Sequence, residues 1–129
     1  MQPTPEQEAI IREEKIGILA TLRRNAGPQL TPVNYAYEDG RFLISVTRER
    51  VKYKNVKRNP NVSLCILRAE WRPYVTVYGR AVVEEEDIVE GTAVIARRMR
   101  DGPLPDSFEE LLRRQGRVLI IMTPERFVP

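Results

Sequence analysis

The residue types missing from this chain of 129 residues restrict its chemistry strongly. The sequence contains no histidine and a single cysteine, Cys65. Nucleophile pairs of the Ser-His-Asp or Cys-His kind are therefore excluded, as are histidine- or cysteine-based zinc and iron–sulfur sites within one chain. We expect no metal site. The remaining chemistry belongs to carboxylates, lysines, arginines, tyrosines and backbone groups, or to a bound organic cofactor.

The best candidate for a binding site is the basic segment from Arg48 to Arg58. It holds six basic residues against one glutamate, an excess of five positive charges that favours an anionic partner. A predicted strand ends just before it at Thr47, and the free N–H groups of a following helix attract anions. With an extended entry to that helix, Arg50 and Lys52 can converge on one phosphate, whereas inside a helix they diverge by about 200°.

Two other interpretations of the basic segment stay open. It can be a solvent-exposed helix face, which would group Arg50, Lys54, Lys57 and Arg58. It can also bind nucleic acid, as the sequence pI of about 9.2 permits. Single-strand binders interleave basic residues with exposed aromatic residues, and this segment offers only Tyr53, which disfavours nucleic acid.

Alternating apolar segments separated by turns indicate that strands make up most of the chain. Asp39-Gly40 is a strong hairpin signal, and Pro32 favours a sheet edge or a bulge. The predicted strands are Ile16–Leu22, Gln29–Tyr37, Arg41–Thr47, Asn61–Leu67, Tyr74–Val83 and Arg117–Thr123.

Helices are inserted singly between these strands. Thr4, Pro5 and Gln7 predict a capped helix start, and Ser107 begins a second capping box. The basic segment ends before Pro60, and Asp87–Met99 has helical spacing. Without regular βαβ alternation, the pattern predicts a mainly β fold in a single domain over residues 1–129, a six-stranded antiparallel barrel with peripheral helices.

The last predicted strand is apolar on both faces from Val118 to Met122. Its outer face can lie under the helices or in a dimer interface, and we expect the dimer interface. The polar N-terminus does not read as a signal peptide, and no apolar run is long enough for a membrane span. The single cysteine fits a reducing compartment, so we expect a cytoplasmic protein.

Several segments, in this order and spacing, resemble the pyridoxamine 5′-phosphate oxidase-like superfamily, and more narrowly its branch that uses the deazaflavin coenzyme F420. The resemblance runs from about Ile16 to the C-terminus. The segments that carry it are Ile16–Leu22 (IGILATL), Gly27–Val33 (GPQLTPV), Phe42–Thr47 (FLISVT), Arg50–Asn55 (RVKYKN) and Asn59-Pro60.

The resemblance implies a split β-barrel homodimer with two cofactor sites at the dimer interface. Arg50 and Lys52 would hold the cofactor phosphate beside the Thr47 hydroxyl, and backbone groups of the strand 28–34 would line the ring. Trp71 and Tyr74 of the opposite protomer would close over it. The full set of implied cofactor-binding residues is Pro28, Gln29, Leu30, Thr31, Val33, Thr47, Arg50, Lys52, Lys54, Trp71 and Tyr74.

The function implied is hydride transfer between the reduced deazaflavin and a conjugated, unsaturated organic substrate. The alternative is an FMN-binding oxidoreductase of the same superfamily. No counterpart of the substrate-phosphate residues of true pyridoxamine phosphate oxidases is evident, which disfavours vitamin B6 oxidation. Solvent, Tyr35 or Tyr37 can supply the proton, although both tyrosines also suit barrel packing. We expect the loops Arg68–Pro73 and Arg100–Asp106 to shape the substrate pocket.

Overall fold

Six strands form the frame of the molecule in the computed structural model, which describes residues 2–129. They are β1 (Ile16–Leu22), β2 (Pro28–Glu38), β3 (Arg41–Thr47), β4 (Asn61–Leu67), β5 (Tyr74–Glu84) and β6 (Arg117–Val128). Every pairing is antiparallel, and the order β1-β2-β3-β6-β5-β4 closes into a barrel. The mainly β, six-stranded fold predicted from the sequence is confirmed.

Four helices accompany the barrel: α1 (Pro5–Glu13), α2 (Val51–Arg58), α3 (Val89–Met99) and α4 (Phe108–Gln115). At α1 the predicted capping box is present, since Thr4 and Gln7 bond each other's backbone N–H. The capping box predicted at Ser107 is wrong. The Ser107 backbone is not extended (φ −89°, ψ 19°), and its side chain makes no capping hydrogen bond. None of the helices within residues 2–129 is long and apolar enough to cross a membrane.

The β2–β3 hairpin turns at Asp39 and Gly40, which both have positive φ (53° and 75°), as the sequence predicts. Beyond the four residue pairs next to this turn, β2 and β3 separate. They pair only from Tyr35–Ile44 to Glu38–Arg41, so the stretch 28–34 bonds only to β1 and the stretch 45–47 only to β6 among the described strands. The gap between these two stretches, which we call the seam, confirms the edge predicted at Pro32.

The interior of the barrel is filled by inward-facing apolar side chains. Tyr35 and Phe42 are fully buried there with ring centroids 5.8 Å apart in an edge-to-face contact. Gly79 lies at a register shift where β5 runs against β6, and a Cβ there would overlap the Thr123 carbonyl oxygen. β6 continues past Pro124 to Val128, five residues beyond the predicted end. A proline is a poor internal strand residue, so the local sequence does not predict this extension, whereas the close approach of β5 at Gly79 accommodates it.

The outer face of β6 is covered by helices of the same chain. Leu119 is buried and Ile121 half-buried against Leu43, Ile95 and Leu112, which belong to β3, α3 and α4. The expectation that this face lies in a dimer interface is therefore wrong. Two helices that the sequence analysis placed only at the periphery bury it instead.

A different apolar surface is exposed. The outward side chains of β1, the first half of β2, β4 and the start of β5 lie side by side, and we call this surface the outer sheet face. Its large exposed members are Ile16, Leu30, Leu67, Tyr74 and Tyr78. Monomeric proteins seldom expose such a continuous apolar patch.

Candidate functional site

Half of the basic residues between 48 and 58 already have partners in the fold. Glu85 accepts hydrogen bonds from Lys57 (2.8 Å), Tyr53 (2.8 Å) and Arg48 (3.4 Å). The bonds from Lys57 and Tyr53 hold the pKa of Glu85 at about 2, well below its ordinary value. Arg58 donates to the Leu22 carbonyl oxygen (2.6 Å). These cations stabilise the position of α2 on the barrel and are not free to bind a ligand.

The other basic residues of the segment, Arg50, Lys52 and Lys54, make no ion pair within residues 2–129. Arg50 is the N-cap of α2 with extended backbone (φ −73°, ψ 145°), and Lys52 lies half-buried in the first helical turn. The pKa of Lys52 is lowered by burial and by the nearby charges of Arg50 and Arg117. We call Arg50, Lys52 and Arg117 the cation cluster. Lys54 is exposed and lies about 200° around the helix axis from Lys52.

Thr47 lies at the edge of this cluster. It is the register partner of Arg117 across β3 and β6, and its carbonyl oxygen accepts the Arg50 N–H (3.1 Å). Its hydroxyl oxygen is buried and has no hydrogen-bond partner within residues 2–129. A buried, unpaired hydroxyl next to three uncompensated cations is costly in the empty fold and well suited to a phosphate oxygen.

Arg117 is the member of the site that the sequence analysis missed. It lies more than sixty residues beyond Thr47 in the sequence, and only the β3–β6 pairing brings it to the cluster. Its guanidinium also contacts the Ser45 hydroxyl (3.5 Å) and the Gln115 side chain (3.1 Å). The one available signal was its place at the start of the last predicted strand, which is weak without the strand order.

The stretch 28–34 of β2 offers its backbone rather than its side chains at the seam. Val33 is buried, and the Gln29 amide faces the buried Asn55 amide (3.5 Å). Leu30 is 65% exposed on the outer sheet face, while Pro28 is exposed and Thr31 half-buried. Because no second strand among the described residues pairs with this stretch, its free backbone groups can bond a ligand.

A cleft of about 280 Å³ opens where β2 and β3 separate. Asn34 and Ser45 stand at the seam side of this cleft, and Arg117 joins it to the cation cluster. The far wall is formed by α3, α4 and the segment that connects them. The loop 100–106 predicted to shape a substrate pocket contributes Arg100, whereas no residue of the loop 68–73 lines this cleft.

Trp71 and Tyr74 lie at the other end of the barrel from the cation cluster. Tyr74 pairs with Leu67, at the end of β4 opposite to the one that follows α2. Trp71 has φ 65°, is 54% exposed, and its ring is covered by the Arg72 guanidinium at 4.1 Å. One protomer therefore does not bring them to its own seam.

The tyrosines considered as proton donors are packed into the fold. The Tyr35 hydroxyl is fully buried, lies 2.7 Å from the Ile11 carbonyl oxygen, and has its pKa raised by that burial. Burial also raises the pKa of Tyr37, over whose ring Arg12 lies at 5.1 Å. Packing inside the barrel accounts for both tyrosines, and neither lines the cleft at the seam. Within residues 2–129 no group of three or more His, Cys, Asp or Glu side chains could hold a metal.

The site as a whole fits a phosphorylated planar cofactor. The cation cluster and the Thr47 hydroxyl provide charge and a hydrogen-bonding group for a phosphate. The free β2 edge provides backbone groups for a flat ring.

Comparison with known proteins identifies the family of this chain. The family model described as pyridoxamine 5′-phosphate oxidase matches residues 3–127. The chain therefore belongs to the pyridoxamine 5′-phosphate oxidase family, as the sequence resemblance predicted, and an oxidoreductase of this fold is supported.

Solved structures with the same fold differ in their described roles. A structure described as an F420 reductase is 25% identical, with 98% of each chain covered and a TM-score of 0.78. A conserved hypothetical protein of Mycobacterium tuberculosis is 22% identical, covering 98% of this chain and 83% of the other (TM-score 0.80). General Stress Protein 26 of Bacillus anthracis is 22% identical, covering 95% and 88% (TM-score 0.68). The last two support the fold alone.

Proposed function

We propose that this protein is an oxidoreductase that binds coenzyme F420 at the seam and reduces a conjugated, unsaturated organic substrate. The observation that carries the proposal is the buried, unpaired Thr47 hydroxyl beside Arg50, Lys52 and Arg117, none of which has a carboxylate partner within residues 2–129. The 25% identical F420 reductase supports the choice of cofactor.

The cation cluster and Thr47 hold the cofactor phosphate in this proposal. Arg50 provides a planar fork, Lys52 a point charge in the first turn of α2, and the free N–H groups of that turn add partial positive charge. A bound phosphate would also offset the burial and the repulsion that together lower the pKa of Lys52. Backbone groups of the β2 edge then orient the ring.

The protein need only bind, orient and exclude water, because the cofactor carries the reaction. When bound in reduced form, a deazaflavin supplies a hydride, and a proton from water completes addition of two hydrogens across the substrate double bond. The Ser45 hydroxyl and the Asn34 amide are polar groups on the seam side of the cleft.

A second copy completes the site. The outer sheet face extends from Leu30, next to the seam, to Tyr74 at its other margin. In a dimer that pairs two copies of this face about a two-fold axis, the side of the face that holds Tyr74 in one protomer lies against the β2 side in the other. This follows because a two-fold axis exchanges the two sides of the face. Trp71 and Tyr74 would then close over the partner's ring.

F420 is favoured over FMN by a second basic surface. Arg23 and Arg24 lie in the β1–β2 turn, at the same end of the barrel as the cation cluster, and Lys54 is exposed on α2 nearby in the fold. F420 carries a polyglutamate tail besides its phosphate, whereas FMN has no such tail. The extra cations suit that tail. An FMN-binding oxidoreductase remains the second candidate, because the phosphate site serves either cofactor.

A fluorescence titration of the purified protein with F420, FMN and a deazaflavin lacking the glutamate tail tests this choice. We expect tightest binding of F420. We also expect Arg23→Glu/Arg24→Glu to weaken F420 binding severalfold while leaving the tailless ligand unchanged. Arg41→Glu, at the far end of the barrel, is the control for charge. Preference for FMN would replace F420 by the alternative, and binding of none of the three would reject both.

A further inference from the structure

The cleft beside the seam has a composition that identifies the kind of molecule it accepts. Its body is apolar, built from Ile95, Ala96 and Met99 of α3 and Phe108, Leu111 and Leu112 in α4. The two charged side chains that line it are Arg100 and Arg117, and no aspartate or glutamate is among its lining residues. An apolar wall with only positive charge disfavours cations and favours a neutral or anionic molecule.

The two arginines have different surroundings. Arg117 contacts Ser45 and Gln115 and belongs to the cation cluster beside Lys52. Arg100 ends α3, lines the same cleft, is exposed, and has no hydrogen-bond or ion-pair partner among residues 2–129. A molecule in this cleft therefore meets apolar walls, the seam and a free guanidinium.

We propose that this cleft binds the substrate, and that the substrate is a compact conjugated carboxylic acid whose carboxylate pairs with Arg100. Its apolar body packs on α3 and α4, and its double bond points to the seam between Asn34 and Ser45. A volume near 280 Å³ is at the small end of ligand pockets, which fits a molecule of one or two rings. The claim that this molecule is the substrate rests on the proposed function, whereas the inference that the cleft binds a carboxylic acid does not.

Binding of trans-cinnamate and its neutral amide, cinnamamide, to the cofactor-free protein tests the inference. The two probes share shape and conjugation and differ in charge. We expect cinnamate to bind more tightly than cinnamamide and to shift the NMR signals of the Ser45, Thr92 and Gln115 amides, which line the cleft. Equal affinities, shifts elsewhere, or no binding of cinnamate would overturn the inference.

Matched variants identify the arginine responsible. Arg100→Gln should weaken cinnamate binding roughly threefold to fivefold, the size expected of a solvent-exposed charge pair, without changing cinnamamide binding. Arg97→Gln is the control, because Arg97 is exposed on the same helix but does not line the cleft. Ala96→Phe fills the cleft and should abolish binding of both probes. Equal effects of the two arginine variants would contradict the assignment.

Titration of the same proteins with F420 separates this inference from the proposed function. If F420 binds and cinnamate does not, the cleft inference fails and the cofactor proposal stands. If cinnamate binds through Arg100 and F420 does not bind, the acid-binding cleft is supported and the cofactor proposal fails.

Discussion

Thr47 carries a hydroxyl group that the fold buries without a partner in the part of the chain from residue 2 onward. Thr21, by contrast, is buried with its hydroxyl accepting a hydrogen bond from the Asn55 amide (3.0 Å). Thr47 is half-buried as a whole residue and Thr21 fully buried, but in both the hydroxyl oxygen lies inside the fold, so the two can be compared. The first is costly in the empty protein and useful only with a ligand, whereas the second stabilises the fold directly.

Valine in place of each threonine should therefore have opposite effects on stability. Thr47→Val removes an unpaired hydroxyl and should raise the free energy of unfolding of the cofactor-free protein by about 1 kcal/mol, while weakening cofactor binding. Thr21→Val removes the nearer acceptor of the Asn55 amide, leaving only the longer contact to Gln29 (3.5 Å), and should lower that free energy by ~1–2 kcal/mol. Urea denaturation measures both. Destabilisation by Thr47→Val would mean that its hydroxyl has a structural partner.

At this scale two residues of the candidate site were already proposed from the sequence. Arg50 and Lys52 were recognisable because they are neighbours in the chain and follow a strand that ends in a hydroxyl residue. Arg117 was not, because its place depends on β6 pairing with β3, which no local pattern shows. The sequence also could not show that Glu85 engages Arg48 and Lys57, which reduces the cations available to a ligand.

At the scale of elements, Glu85 fixes the position of α2 from the end of β5. Its carboxylate joins Lys57 and Tyr53 on the helix to Arg48 just before it. The N-terminus of α2, with Arg50 and Lys52, is thereby held against the start of β6. Glu85, which belongs to the acidic stretch 84–90, thus positions the proposed binding site.

The pKa of Glu85 gives this contact a pH dependence. Its folded-state pKa of about 2 is below the ordinary value of 4.5, so its ionised form stabilises the fold. That contribution is complete above about pH 5 and is lost as the pH falls from 4.5 towards 2. The melting temperature of wild type should exceed that of Glu85→Gln at pH 7, and the difference should shrink through this range. A difference that is constant with pH would contradict the contact.

The elements themselves were predictable where a local signal sets them. The Asp39-Gly40 turn, the capped start of α1 and the alternation of β1 and β3 all agree with the structure. The prediction failed where a distant element decides the outcome. β6 extends to Val128 because the long β5 pairs with it, and its outer face is buried because α3 and α4 fold back over it.

At the scale of the whole molecule, the outer sheet face accounts for the proposed dimer. Leu30 (65% exposed) and Tyr78 (46% exposed) lie on it, and Cys65 is half-buried in its centre. The sequence analysis expected a dimer but placed the contact on β6. The contact proposed now lies on the opposite part of the barrel, where pairing also brings Trp71 and Tyr74 to the partner's seam.

Sedimentation of Leu30→Glu and Tyr78→Glu tests this surface. Each variant should sediment as a monomer while the wild type sediments as a dimer, because a charge in a paired apolar face is desolvated without a partner. The Cys65 thiol should react faster with a soluble thiol reagent in the monomers. Val82→Glu is the control, since Val82 is 64% exposed on β5 but lies next to β6. Variants that stay dimeric would place the interface elsewhere.

The central claim is that the cation cluster holds a cofactor phosphate, and Lys52 tests it most directly. The measurement is the dissociation constant of F420, and of FMN, for wild type, Lys52→Met and Lys15→Met, Lys15 being an exposed lysine at the other end of β1. Lys52→Met should weaken binding roughly tenfold or more, since a charge-assisted phosphate contact is lost. Lys15→Met should match wild type. Unchanged affinity in Lys52→Met would contradict the claim that the cation cluster is the phosphate site.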